Sequence, residues 1–220
     1  MKHRFPIFAL ALALALGAQA AMVESSKPSI IEIVYRNIAP GIRADSFGAK
    51  PKTIYIGGET YARLEEEPNS KQHIHGLLIT NGSNIWMINL FARRGLHMID
   101  PGPAFVTHHN ILGLDAAKEF STLEFGKELD FFRNRHATPV EAKVIEGQSC
   151  DGSEYRQAPY RVVLYLRTDT QAPFQLDIFK DNTAPCSVRY LSYETGTAFD
   201  AGLFQPPADV TMTEVKSGSR

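Results

Sequence analysis

The stretch HGLLITNGSNIWMINLFARRGLHMID, residues 75–100, decides the fold. Short segments rich in apolar and β-branched residues, Ile74 to Thr80, Ile85 to Phe91 and Gly95 to Ile99, are separated by Asn81-Gly82-Ser83 and Arg93-Arg94-Gly95. Glycine and asparagine supply positive φ where tight turns need it. Connections this short join antiparallel neighbours and cannot carry a crossover helix. Upstream, Ile30 to Arg36, Thr53 to Gly57 and Thr60 to Glu66 extend the meander, with Gly57-Gly58 as a further turn.

Beyond Ile99 the pattern changes. Asp100-Pro101-Gly102-Pro103-Ala104-Phe105 predicts a rigid turn that redirects the chain or forms a ligand-entrance rim with Thr107, His108 and His109. From about 113 to 135, Phe120, Leu123, Phe125, Leu129, Phe131 and Phe132 recur at helical spacings among charged residues, with Asp115 as a cap and a break at Gly126. This predicts one or two helices that pack on the sheet or cover an apolar cavity. Strand patterning then resumes in Val140 to Glu146, Tyr160 to Arg167, Phe174 to Lys180, Ser187 to Tyr193 and Val210 to Val215. About eleven strands result, mainly β in class (α+β), with one face buried and the last strand at an edge.

Residues 1–20 read as a cleavable signal peptide: Lys2 and Arg4, an apolar run to Leu16, then Ala18-Gln19-Ala20. The expected mature chain, 21–220, is a single periplasmic domain. The run is shorter than the roughly 20 residues of a membrane-spanning helix, so an integral membrane protein is not expected. The formal charge is −1, which gives nucleic acid no basic surface to follow. Two cysteines in an exporting context, Cys150 and Cys186, are expected to pair and to close a loop of roughly 35 residues.

Three elements carry a family resemblance: TIYIGGETYARLEEE (53–67), the 75–100 stretch centred on Trp86-Met87, and the closing passage with Leu203, Phe204, Pro206, Pro207 and Asp209. Together they resemble the LolA/LolB-like superfamily of exported proteobacterial proteins. The resemblance implies a strongly curved antiparallel sheet, an unclosed barrel, with helices on its concave face and an apolar cavity between. It also implies a non-enzymatic role: binding acyl chains, carrying lipoproteins or sensing envelope components, with a lipid, a lipoprotein or an envelope protein as partner. Two departures stand out, a strand at Ile30 to Arg36 where the family has an amphipathic helix, and the cysteine pair. The expected ligand-binding residues are Trp86, Ile88 and Leu90 or their alternates, with Phe120, Leu129 and Phe132 from the cover.

His73 and His75, two apart on an expected strand, point the same way, and His97 could complete a metal site. The alternative is ordinary hydrogen-bonded histidines, and the only other function classes left open are an envelope sensor and this metal-binding protein. No serine stands in a G-x-S-x-G elbow and no phosphate loop or dinucleotide fingerprint occurs, so neither catalytic residues nor a cofactor are expected. The run Glu65-Glu66-Glu67 reads as a solvated strand end.

Overall fold

A computed structural model describes residues 28–43, 46–100, 106–111, 118–181 and 183–215. The expected signal peptide, the Pro101–Phe105 turn and the Asp115 cap lie outside them. Twelve strands form one open sheet in the order β12-β6-β5-β4-β3-β2-β1-β11-β10-β9-β8-β7. They are β1 (Ile30–Asn37), β2 (Lys52–Gly57), β3 (Tyr61–Glu66), β4 (Gly76–Asn81), β5 (Asn84–Asn89), β6 (Arg94–Ile99), β7 (Thr138–Ile145), β8 (Gln148–Gln157), β9 (Tyr160–Arg167), β10 (Pro173–Lys180), β11 (Thr183–Thr197) and β12 (Thr211–Val215). All neighbours are antiparallel except β12, which lies parallel to β6. The edge strands β12 and β7 do not pair with each other, so the sheet is not closed into a barrel.

The strand beyond the expected eleven is β8, whose sequence reads as a turn-rich strand end. Its polar run QSCDGSEYRQ hides a real alternation, Cys150, Gly152 and Glu154 being buried. Gly152 is required by close approach: a Cβ there would lie 3.0 Å from the Tyr165 ring.

The disulfide expectation is corrected, because Cys150 and Cys186 are both free. Cys150 is on β8 and Cys186 on β11, with β9 and β10 between them. Three strand spacings separate them by about 14 Å across the sheet, and register puts Cys186 level with Tyr155, further along β8 from Cys150, so they lie well beyond the roughly 7 Å Cα separation a bridge tolerates.

Each sheet face carries its own core. Strand pairing places Ile33, Ile54, Leu164, Leu176 and Val188 on one face, where they pack against Phe120, Leu123, Phe125, Phe131 and Phe132. Among the described residues the cover comprises a 3₁₀ turn at Lys118–Phe120 and α1 (Glu128–Asn134), with Gly126 at φ +85° between them. The opposite face carries Leu77, Ile79, Trp86 and Ile88 beneath a second 3₁₀ turn, Ala201–Phe204, whose Phe204 is fully buried. Arg63 Nη1 holds that turn by donating to the Leu203 carbonyl at 3.2 Å.

Candidate functional site

The candidate site is on the α1 face, where a cross-strand row of apolar side chains runs out from under the cover. Register pairs Ile33 with Ile54, Ile54 with Leu64, Leu64 with Leu78, Leu78 with Met87 and Met87 with Leu96. Directly opposed residues of an antiparallel pair share a face. Ile33 and Ile54 are buried, whereas Leu78, Met87 and Leu96 are 37%, 44% and 41% exposed. A second row lies beside it, Ile56 with Ala62, Ala62 with Thr80, Thr80 with Ile85 and Ile85 with Met98. The core therefore continues into an open apolar strip. A cleft of about 270 Å³ lies along it, lined on this face by Leu64, Leu78 and Met87 with Glu66 and Gly76.

The residues expected to bind ligand are divided between the faces. Trp86, Ile88 and Leu90 belong to the core beneath Phe204, while their alternates Ile85 and Met87 face α1. Phe120 and Phe132 fill the core under the cover, and Leu129 is 36% exposed on the outside of α1. Sequence reasoning missed Leu64, Leu78 and Leu96. Their signal was the alternation of 75–100, which shows two faces and leaves open which one is covered.

A buried carboxylate anchors the cover to the sheet. Glu128 of α1 is fully buried, its Oε1 accepting from Tyr190 Oη at 2.9 Å and its Oε2 from Tyr193 Oη at 3.1 Å. Tyr190 and Tyr193 are three apart, so strict alternation would place them on opposite faces. A register shift in the β1–β11 pairing, where Val34 opposes Ser192 but Tyr35 opposes Tyr190, adds the residue that brings both hydroxyls to one side. Burial pushes the Glu128 carboxyl up to about 7, the two hydroxyl donors offsetting only part of that cost. Burial beside Glu128 also raises both tyrosines. Glu128 was legible in part, since it precedes Phe131 and Phe132 by three and four residues and so shares their helix face.

Beside it, Glu124 accepts from His108 Nδ1 at 2.7 Å and from Lys127 Nζ at 2.9 Å. Burial favours the neutral acid there, but these two donors outweigh it and lower the carboxyl below its ordinary value. His109 is lowered by burial, with Nε2 enclosed and unpartnered.

The histidine convergence that the metal-binding alternative requires does not occur among the described residues. His73 lies in a turn at φ +50° and not on a strand, so it and His75 do not share a strand face. His75 Nε2 meets Glu65 Oε1 at 3.2 Å, and Glu65 also pairs with Arg63. His97 stacks on Trp86 with centroids 5.1 Å apart and meets Asn84 Oδ1 at 2.9 Å. Among the described residues no group of three or more His, Cys, Asp or Glu is arranged to hold a metal ion, and no helix is long and apolar enough to cross a membrane.

No protein-family model and no curated protein matches the sequence. Solved structures are similar over most of the chain, at low identity and TM-scores below 0.5. An uncharacterized conserved protein from Thermus thermophilus is 9% identical, with 85% of this chain covering 91% of that one at a TM-score of 0.49. The Pseudomonas aeruginosa MucA/MucB complex is matched at 10% identity and a TM-score of 0.43, with 86% of this chain spanning 59% of that one. A LolA superfamily protein from Nitrosomonas europaea is 8% identical, with 83% of this chain covering 91% of that one at a TM-score of 0.32.

Proposed function

We propose that this chain is a periplasmic binding or carrier protein for an apolar ligand, whose acyl chain lies along the Leu64–Leu78–Met87–Leu96 row. The observation that carries this reading is the row itself, three large apolar side chains exposed side by side and continuous with the buried core. Exposed apolar side chains that line up across three neighbouring strands mark interaction surfaces. Burying about ten methylenes there gains about 8 kcal/mol, the free energy of a micromolar complex before ordering costs. Binding of this kind needs no catalytic group, and it is the role that the sequence resemblance implies.

The test is displacement of a fluorescent fatty-acid analogue, comparing wild type with Leu78→Asp and Met87→Asp. A charge on either side chain removes binding by about tenfold or more, since a buried carboxylate forfeits the transfer free energy. Equal binding by all three proteins sinks the reading. An analogue that binds none of them while a second protein protects Leu78 and Met87 from solvent moves the row to the role of an envelope docking surface.

A further inference from the structure

On the sheet face opposite α1, Arg36 of β1 and Arg189 of β11 are register partners. Like charges directly opposed across an antiparallel pair repel. Arg189 is 3% exposed. Its Nη2 donates to Gln175 Oε1 at 2.7 Å, its Nη1 pairs with Glu146, and its guanidinium carbon sits 4.6 Å from the Phe174 centroid. Gln175 in turn donates through Nε2 to both Asp177 oxygens at 2.8 Å, and Ser187 Oγ donates to the same carboxylate. Glu146 is thus the carboxylate paired directly with Arg189, Asp177 reaches it only through Gln175, and Arg189 Nε is still buried without an acceptor.

Arg36 is in a similar position. Its Nε is also buried without an acceptor, and no described residue forms an ion pair with it. It lines a cleft of about 280 Å³ together with Asn37, Ile38, Ile42 and Ala49. Two unsatisfied guanidinium N–H groups thus occur on facing residues of neighbouring strands. Buried donors of this kind normally have a partner, and an uncompensated guanidinium beside another is costly. A water would satisfy a donor and leave the repulsion in place, whereas an anion answers both.

We infer that the Arg36–Arg189 pair is an oxyanion site for a phosphate group, either free or borne by a lipid headgroup. A planar carboxylate matches the fork of one guanidinium, while a tetrahedral phosphate presents oxygens to two at once. The site is separated from the apolar row by the thickness of the sheet and stands independently of acyl-chain binding.

The test uses the full mature chain and two probes: inorganic phosphate against chloride at matched ionic strength, read by calorimetry, and phosphatidic acid vesicles against phosphatidylcholine vesicles, read by flotation. Arg36→Gln is the diagnostic variant, because Arg36 is only half-buried and the fold survives its loss, whereas Arg189→Gln risks unfolding. Circular dichroism of Arg36→Gln checks that point. Saturable phosphate binding that weakens about tenfold or more in Arg36→Gln assigns a free phosphate ligand. Binding to phosphatidic acid vesicles alone, again lost in Arg36→Gln, assigns a lipid headgroup. Absence of both signals in wild type, or binding that Arg36→Gln leaves unchanged, overturns the proposal.

Discussion

Tyr190 Oη donates to Glu128 Oε1 at 2.9 Å, joining a fully buried carboxyl of α1 to the central strand β11. With the second donor from Tyr193, this is the polar tie between cover and sheet, and it carries no cation. The Glu128 carboxyl rises from 4.5 to about 7 because burial penalises its charged form. Between these values the native state holds a proton that the unfolded chain has released, so stability falls as pH rises through this window. The loss is complete above about pH 7 and amounts to about 3 kcal/mol relative to pH below 4.5. Denaturant unfolding at pH 4.5 and pH 8 therefore differs between wild type and Glu128→Gln, with the variant losing this pH dependence and gaining relative stability at pH 8. Parallel pH profiles for the two proteins contradict the assignment.

Removing a donor from this tie has the opposite effect. Tyr190→Phe leaves Glu128 Oε1 without a partner in a site where water does not reach, at a cost of about 1–3 kcal/mol. Tyr193→Phe costs less, because Tyr193 is only partly buried. Both losses are larger at pH 8 than at pH 5, since the ionised carboxylate depends more on its donors. Urea midpoints at the two pH values check the order and the sign.

The two faces of β4 separate stability from binding. Leu78 is 37% exposed and its neighbour Ile79 is fully buried under Phe204. Ile79→Ala costs about 2–5 kcal/mol as a core truncation. Leu78→Ala stays within about 0.5 kcal/mol, as surface substitutions do, yet weakens acyl-chain binding. Thermal unfolding and probe titration of the two variants form the comparison, and a stability loss in Leu78→Ala matching that of Ile79→Ala contradicts the faces assigned here.

Both cysteines carry thiols, and burial raises the pKa of each. Ellman's reagent added after unfolding without reductant counts both cysteines of the chain as reactive. In the native state Cys186, which is half-buried, reacts before Cys150, which is 1% exposed. A mature chain lighter by two hydrogens than its reduced sequence contradicts the strand order that separates them.

The meander β1 to β6 was legible because its alternation and its turn residues agree: Gly82 at φ +58° closes the β4–β5 turn that Asn81-Gly82-Ser83 predicts. Where polar residues fill a strand the signal fails, and β8 was missed because Gly152 and Ser153 imitate a turn. The cover was legible as an aromatic run, but only seven residues form α1. Among its other described residues, Phe120, Leu123 and Phe125 pack into the core without a continuous helix. His73 and His75 read as a strand pair because two-residue spacing cannot reveal that His73 turns at positive φ. The tie between Glu128, Tyr190 and Tyr193 lay beyond any local pattern. It depends on one extra residue in β11 and on a helix 62 positions away in sequence from Tyr190.

Methionine methyl resonances give the most direct test of the apolar row, because the described methionines sample both faces. Met87 and Met98 stand on the row side, and Met212 packs into the core beneath Phe204. In a dodecanoate titration of methyl-labelled protein, acyl-chain binding along the row shifts Met87 most and Met98 with it, leaving Met212 in place. A titration that moves Met212 alone, or that leaves all three methyls unshifted at millimolar dodecanoate, contradicts the account.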